Sequence, residues 1–322
     1  MRRRDIIAML GSATLTWSVA AQVQQKRLPT VGVMLAASYA EGEQQIKALE
    51  SALAVLGWIE GRNIHVDSRW ADAAHIRSEV AKLIASSPDV LLVAGPILVP
   101  MRQATNTIPI VFVGVTDPAG LGIVETMARP GGNATGFTNF EPTIGGKWLQ
   151  TLKEAAAYIT DVTILRVAAT QSMILQAIQS DAVPLGLKCI DCAIRDGADL
   201  EVTLAATLKG RSNMGMIVMP DPLLAPYRST IIGLAASEHI PTMYPIRTYP
   251  DKGGLMSYGF DLLHQIRQSA TYIDRILKGE KPANLPVQAP TKFEFVINLK
   301  AAKELGLALP PTLVARADEV IE

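Results

Sequence analysis

The chain has 322 residues, about the length of two ordinary domains. Hydrophobic residues make up 49% and charged residues 19%, which supplies a large core and excludes a mostly disordered chain. The 30 basic and 30 acidic side chains give a formal net charge of zero, so the composition carries no electrostatic footprint for nucleic acid.

The N-terminus has the three parts of an export signal. Residues 2–4 are arginines, residues 6–21 are apolar or small without charge, and residues 19–21 (VAA) have the small side chains that a signal peptidase reads. An N-terminal membrane anchor is the alternative, but a spanning helix needs about 20 apolar residues. We therefore expect residues 1–21 to be a signal peptide that is cleaved near Ala21. The paired arginines also suit the twin-arginine export route.

The next part of the chain alternates buried strands with amphipathic helices. Continuous β-branched runs separated by helices favour a parallel, doubly wound sheet. The pattern predicts strands over residues 30–35, 63–70, 90–94 and 110–113, and helices over residues 43–56, 76–86 and 101–105.

The same pattern then restarts, which predicts a second α/β lobe of similar size. Gly, Asn, Thr and Pro cluster at residues 136–142, where we place the changeover. A long helix, a Pro-rich link and one more strand follow, so the chain returns after two lobes and crosses between them more than once. The predicted strands are 161–167, 187–194, 214–219, 240–244 and 293–298, and the helices are 145–156, 171–182, 201–208, 229–238, 262–277 and 300–305.

The two cysteines, Cys189 and Cys192, lie in one of these strand-like runs. Residues three apart in a strand face opposite sides of the sheet. We therefore expect two separate apolar cysteines, although a redox pair or half of a metal site is the alternative for this spacing. Neither cysteine lies near the export signal, so we expect a protein without an N-terminal lipid anchor.

Signatures of catalysis are missing from the sequence. None of the four histidines has a partner at metal-ligand spacing, and the chain has neither a Gly-x-Ser-x-Gly elbow nor a nucleotide-binding P-loop. We therefore expect no enzymatic activity, no metal and no cofactor.

Polar and aromatic side chains instead follow several predicted strands. In open α/β sheets, ligands bind outside the carboxyl ends of the strands. Carboxylates can pair with an ammonium group and tyrosines can stack on apolar bulk, which suits a small amphipathic ligand. Because Asp before Pro is also a common turn, turn chemistry is the alternative for each aspartate taken singly. The residues at these strand ends are Ser38, Tyr39, Gly95, Pro96, Asp117, Asp221, Tyr244 and the run 257–261.

Long collinear motifs give the sequence a family resemblance. They are residues 1–7 (MRRRDII), 57–64 (GWIEGRNI), 108–113 (IPIVFV), 128–136 (ARPGGNATG), 253–259 (GGLMSYG), 290–294 (PTKFE) and 315–320 (ARADEV). With these motifs the chain resembles the ABC transporter substrate-binding proteins of the tryptophan/tyrosine-type group, from the signal to the last residues.

The resemblance implies a type I periplasmic-binding fold, with two Rossmann-like lobes joined by a multi-crossover hinge and a ligand closed between them. It implies a monomeric protein of the periplasm that captures a small ligand, such as an amino acid, and delivers it to the permease of an ABC importer. A ligand-sensing subunit for a membrane receptor is the alternative, followed by an enzyme on the same scaffold. Carried over by position, the ligand contacts would be Ser38, Tyr39, Gly95, Pro96, Asp117, Gly136, Phe137, Asn139, Asp221, Tyr244, Tyr258 and Asp261, with Asp221 for an amine.

The resemblance also implies how the chain divides. We expect the first lobe at residues 28–138 with a return segment at about 260–288, and the second lobe at residues 139–259 with a C-terminal segment at about 291–322. Two positions depart from the family pattern. Residues 167–170 (VAAT) replace an Asn-Pro turn, and Pro96 stands where relatives often have a small hydroxylated residue. The identity of the ligand therefore does not follow from the ligands of relatives.

Overall fold

The computed structural model describes residues 27–35, 39–70, 75–139, 141, 143–168 and 173–322. The predicted export signal and the predicted contact Ser38 lie outside these residues, as do the side chains of Tyr39 and Pro96.

The first lobe is built on a five-stranded sheet in which every pair of neighbouring strands is parallel. The strand order is β2-β1-β3-β4-β5. Its elements are β1 (Thr30–Leu35), α1 (Tyr39–Val55), β2 (His65–Trp70), α2 (Ile76–Ala85), β3 (Val90–Ala94), a 3₁₀ turn (Gly95–Ile97), α3 (Leu98–Ala104), β4 (Ile110–Val115) and β5 (Ala134–Thr138).

The second lobe repeats this arrangement on a seven-stranded sheet of order β12-β11-β10-β9-β8-β6-β7. All neighbours are parallel except β10 and β11, which pair antiparallel. Its elements are α4 (Ile144–Ala155), β6 (Asp161–Val167), α5 (Met173–Ala182), β7 (Lys188–Ile194), α6 (Gly197–Leu208), β8 (Met214–Val218), a 3₁₀ helix (Pro222–Tyr227), α7 (Arg228–Ser237), β9 (Thr242–Tyr244), a 3₁₀ turn (Pro250–Lys252), β10 (Met256–Phe260), β11 (Phe293–Asn298), α9 (Leu299–Glu304), α10 (Pro311–Val314) and β12 (Glu319–Ile321).

Both sheets are covered on both faces. Leu91 and Leu92 are neighbours in β3, yet they belong to apolar clusters on opposite faces of the first sheet. In the same way, Ile164 and Leu165 are neighbours in β6 and belong to apolar clusters on opposite faces of the second sheet. Burial on two faces requires continuous apolar strands rather than alternating ones, which explains the runs in the sequence. The predicted α/β class with two doubly wound lobes is confirmed.

One helix returns to the first lobe late in the chain. This is α8 (Leu262–Leu277), which follows β10, and a 3₁₀ turn (Pro282–Asn284) comes after it. Ile266, Ala270 and Ile273 of α8 pack in the same apolar cluster as α1 and the first sheet. The chain then runs back to the second sheet as β11. The chain therefore passes between the lobes once before α8 and once after it.

The structure corrects the sequence prediction at several elements. The prediction omits β5, β10 and β12, and α1 and α3 begin earlier than predicted, at Tyr39 and Leu98. Both β5 and β10 contain a glycine, which weakens the strand pattern, and β12 has only three residues. In the described part of the chain, no helix combines the length and apolarity needed to cross a membrane.

Candidate functional site

The chain passes between the lobes at three places, and these passages orient the two sheets. The first passage follows β5, the second joins β10 to α8, and the third runs from residue 288 to β11. The chain leaves the carboxyl end of β5 into the first passage and the carboxyl end of β10 into the second. Because all strands of the first sheet are parallel and β10 is parallel to β9, the carboxyl edges of both sheets lie on the side of the passages. These two edges face the region where a ligand of an open α/β sheet binds.

Hydrogen bonds tie the three passages to one another. The backbone N–H of Thr138 in the first passage donates to the carbonyl of Gln288 in the third, at 2.8 Å. The N–H of Asp261 in the second passage donates to the carbonyl of Lys292 in the third, at 3.2 Å. The Lys292 ammonium also lies 2.9 Å from the Asp261 carboxylate. Residues 288–292 thus connect the other two passages, and the three form one ribbon.

Buried amides hold this ribbon to the carboxyl end of β4. Gln265 of α8, which is 1% exposed, accepts a hydrogen bond from the Gly114 N–H at 3.0 Å and donates to the Thr138 carbonyl at 2.5 Å. Asn139 accepts from the Thr116 hydroxyl at 3.0 Å and donates to the Gly114 carbonyl at 3.3 Å. Buried polar groups of this kind fix a geometry, because breaking one pair leaves an unsatisfied partner.

The strand orders place a crevice in each lobe. In the first sheet, β1 and β3 are neighbours, and the strand order reverses between them. In the second sheet, the reversal lies between β6 and β8. Such switch points are where ligands bind in open α/β sheets. Gly95 follows β3 and Asp221 lies just beyond β8, so each sits at the edge of one crevice. Gly95 has φ +50°, a left-handed conformation that favours glycine.

The two aspartates at strand ends both take part in turns. The Asp221 carboxylate accepts from the Leu223 N–H at 2.9 Å and so begins the 3₁₀ helix after β8. Asp117 is exposed with φ +46°, and its carboxylate accepts from the Gly120 N–H at 2.9 Å. Turn chemistry is therefore realised at both aspartates.

The side chains of Phe137 and Tyr244 lie in the core, although Tyr244 is the last residue of β9. Phe137 is 3% exposed and packs on the ring of Tyr272, with centroids 5.1 Å apart. Tyr244 is 1% exposed and stacks on Tyr249 at 4.6 Å, and this burial raises the pKa of Tyr244. Both side chains point along the sheet normal into an apolar cluster, which is the direction that strand geometry gives them. The sequence interpretation of these two residues as ligand contacts is revised accordingly.

Gly136, Tyr258 and Asp261 have roles in the frame of the site. A Cβ on Gly136 would lie 2.0 Å from the carbonyl oxygen of Phe112, so β4 and β5 can approach only with glycine there. Tyr258 stacks on Phe293 with ring centroids 5.5 Å apart. Asp261 caps α8 by accepting from the His264 N–H at 2.9 Å.

The electrostatics of Asp261 follow from the same contacts. Burial acts to raise the pKa of this carboxyl, but the His264 N–H and the Lys292 ammonium outweigh it and hold the pKa below its ordinary value. Asp261 is therefore a charged member of the passage ribbon.

Three residues of this frame are absent from the predicted ligand contacts: Thr116, Gln265 and Lys292. The burial of Gln265 could have been predicted from the sequence, because it lies on the buried stripe of α8 with Ile266, Ser269 and Ile273. A glutamine among apolar positions at helical spacing indicates a buried amide with specific partners.

The two cysteines lie on opposite faces of the second sheet. Both are free; Cys189 is half-buried on one face of the second sheet and Cys192 is buried on the other, as the sequence predicts. Burial raises the pKa of both thiols. Among the described residues, no group of three or more His, Cys, Asp or Glu side chains is arranged to hold a metal ion.

Comparison with known proteins agrees with this architecture. The "Tyrosine-binding protein" of Clostridioides difficile strain R20291 is 20% identical over 291 residues, which are 89% of this chain and 83% of that protein. A conserved domain protein of Vibrio cholerae has a crystal structure with a TM-score of 0.78 and 25% identity, covering 91% of this chain and all of that one (100%). The ABC domain protein of Streptococcus pneumoniae in complex with L-Trp gives a TM-score of 0.79 at 23% identity, with coverage of 91% and 100%.

The predicted type I periplasmic-binding fold is confirmed by these structural matches. The sequence profile described as "ABC transporter substrate binding protein" matches residues 30–321, which is most of the chain. The protein therefore belongs to the family of ABC transporter substrate-binding proteins.

Proposed function

We propose that the protein captures a small ligand between its two lobes and delivers it to an ABC importer, without catalysing a reaction. The observation that carries this proposal is the pair of carboxyl edges on the side of three interconnected passages. Two crevices that face each other across a hinge can enclose a ligand when the lobes close. Membership of the substrate-binding family supports the same function.

We infer that the ligand is an amino acid or a related amphipathic molecule. One relative is named for tyrosine binding and one similar structure contains L-Trp. The described residues that remain at the carboxyl edges are Gly95, Asp117 and Asn139 in the first lobe and Asp221 in the second. Ser38, Tyr39 and Pro96 stay as predicted contacts from the sequence, and Asp221 is our choice for a ligand ammonium.

A thermal-shift screen of the 20 common amino acids and a set of small carboxylates tests this function directly. A ligand that binds only the folded state stabilises it by about 2.7 kcal/mol at 100 times its Kd, which raises Tm by several degrees. We expect at least one amino acid to do so, with calorimetry confirming one site per chain. If no compound in the panel raises Tm, the amino-acid proposal is wrong.

The variant Asp221→Asn tests the ammonium contact. Asn caps a helical turn about as well as Asp, so the 3₁₀ helix should remain while the charge is lost. We expect the affinity for the stabilising amino acid to fall at least tenfold. Asp196→Asn is the matched control, because Asp196 caps α6 in the same lobe. Equal affinities of the two variants would remove Asp221 from the site.

We further propose that the protein works in the periplasm after removal of residues 1–21, and that it is not a lipoprotein. The intact mass of the protein in a periplasmic extract should correspond to a chain that begins near Gln22. Full-length protein that keeps Met1 in the membrane fraction would contradict export with cleavage.

Uptake of the labelled ligand by cells that lack the gene, with and without complementation, tests delivery to the importer.

A further inference from the structure

Arg228 occupies an unusual position at the carboxyl edge of the second lobe. It is the first residue of α7 and follows the 3₁₀ helix that Asp221 begins. Ile231, Ile232 and Ala235 are the buried residues of α7, so Arg228 lies on the same helical stripe, one turn earlier. This stripe covers the sheet, and its first turn lies where β8 ends. Arg228 is thus directed over the carboxyl edge beside the β6/β8 switch point.

The guanidinium group of Arg228 has no anionic partner in the described part of the chain. Its Nε is buried and makes no hydrogen bond there, and no described carboxylate forms a salt bridge with it. By contrast, Arg166, Arg247 and Arg275 each lie within 2.7 Å of a carboxylate oxygen. The Arg228 residue is half-buried. An arginine that is partly removed from water usually lies beside an anion, because desolvating the charge costs free energy that a paired anion offsets.

The neighbour of Arg228 is aromatic and neutral. The guanidinium carbon lies 5.6 Å from the centroid of the Tyr249 ring. Burial raises the pKa of Tyr249 to about 12, although Arg228 acts in the opposite direction. Tyr249 is therefore protonated at neutral pH and does not supply the missing negative charge. The ring and the hydroxyl of Tyr249 both interact with the guanidinium and hold it in place, and neither neutralises its charge.

We propose that Arg228 binds a carboxylate of the ligand, so that this lobe selects ligands with a free carboxyl group. The inference rests on the proposed binding function and deepens it. Asp221 and Arg228 stand at the two ends of one 3₁₀ helix, Pro222–Tyr227. The planar fork of arginine matches a carboxylate through two parallel hydrogen bonds.

The test compares free acids with their esters. Binding of L-tryptophan, L-tyrosine and the methyl ester of each is measured by calorimetry with the wild-type protein, Arg228→Gln, Arg228→Lys and Arg211→Gln. Arg211 is the matched control, because it is an exposed arginine of the same lobe in the turn before β8. An ester keeps the ammonium group and the side chain and loses only the negative charge.

We expect the wild-type protein and Arg211→Gln to bind the better free acid at least tenfold more tightly than its ester. In Arg228→Gln this preference should fall to threefold or less, and Arg228→Lys should retain part of it. A merely structural role of Arg228 would lower the affinity for acid and ester equally. Tm of each unliganded variant shows whether it is folded.

Each contrary result has one meaning. If the wild-type protein binds acid and ester equally, Arg228 does not select a carboxylate, while the binding function stands. If Arg228→Gln keeps the full preference, the inference fails even though the site does select acids. If the wild-type protein binds none of the four compounds, the comparison passes to the amino acid that the screen identifies and its methyl ester, and equal binding of that pair overturns the inference while capture of a ligand stands. Binding of no compound at all overturns both.

Discussion

Gly136 sets how closely the last two strands of the first lobe can approach. Its φ is +153°, and an added Cβ would lie 2.0 Å from the carbonyl oxygen of Phe112 and 2.6 Å from its backbone nitrogen. These neighbours are backbone atoms of β4, so they cannot move aside as a side chain can. The next residues of the chain, Thr138 and Asn139, enter the first passage between the lobes. The space at Gly136 therefore positions the hinge as well as the sheet.

Gly136→Ala should destabilise the first lobe by about 2–4 kcal/mol, through overpacking and strand displacement. Gly186→Ala is the control, because Gly186 has φ +65° and open space where its Cβ would stand. That change should cost about 1 kcal/mol through backbone strain alone. Urea unfolding followed by far-UV circular dichroism measures both values. Equal losses would show that the contact with Phe112 is relieved elsewhere.

At the scale of elements, the N-terminus of α8 couples helix capping to the hinge. Asp261 accepts from the His264 N–H and faces Lys292, whose side chain is 57% exposed while that of Asp261 is 15% exposed. Solvent screens such a pair, so its contribution to stability is small. Its direction with pH is nevertheless defined, because these contacts lower the pKa of Asp261 in the folded state.

Asp261→Asn should therefore remove a pH-dependent part of the stability. A lowered carboxyl pKa stabilises the folded state above the ordinary value of about 3.9 and is lost as the pH falls through the lowered value. We expect the wild-type protein to exceed the variant in unfolding free energy near neutral pH, and the difference to shrink as the pH falls below about 4. Urea titrations across this range measure it. A difference that stays constant with pH would mean that the variant acts through packing.

Several elements could be predicted from the sequence to the residue, and their shared property explains why. β1, β3, β6 and β11 are apolar runs bounded by turn residues, and α8 has one apolar stripe along its whole length. For such segments the local pattern and the tertiary burial agree. The strand β5 (ATGFT) is different. Its alanine and glycine are disfavoured in strands and interrupt the apolar pattern, so it is recognised only from its pairing with β4.

The candidate site was less predictable than the fold. Chain order places Gly95 and Asp221 at strand ends, and the structure agrees. Tyr244 also ends a strand, but its side chain points into the core, and this depends on register and on packing against Tyr249. Nothing in the sequence singles out Arg228, because arginine is common at the start of a helix. Its lack of an anionic partner is visible only in the structure. Ion-pair partners from distant segments, such as Lys292 for Asp261, depend on the path of the chain and cannot be predicted from local sequence.

At the scale of the whole molecule, the three passages determine which motion is available. One covalent connection would let the lobes rotate freely, whereas three connections joined by hydrogen bonds restrict them to bending about the ribbon. Thr138 and Asp261 both bond to the segment 288–292, so the three passages bend together. Gln265 and Asn139 fasten this ribbon to the first lobe. We therefore expect the first lobe and the ribbon to move as one body relative to the second lobe.

Such a hinge should close when a ligand contacts both lobes, because only the closed state makes both sets of contacts. A single compact domain of 322 residues would have a radius of gyration of about 20 Å. We expect small-angle X-ray scattering to give a larger value for the ligand-free protein and a decrease when the stabilising amino acid is added at saturation. The radius of gyration of Asp221→Asn should stay at its ligand-free value when the ligand concentration saturates only the wild-type protein. If calorimetry shows full occupancy of the wild-type protein while its scattering is unchanged, the ligand does not bridge the lobes, and the site lies within one lobe.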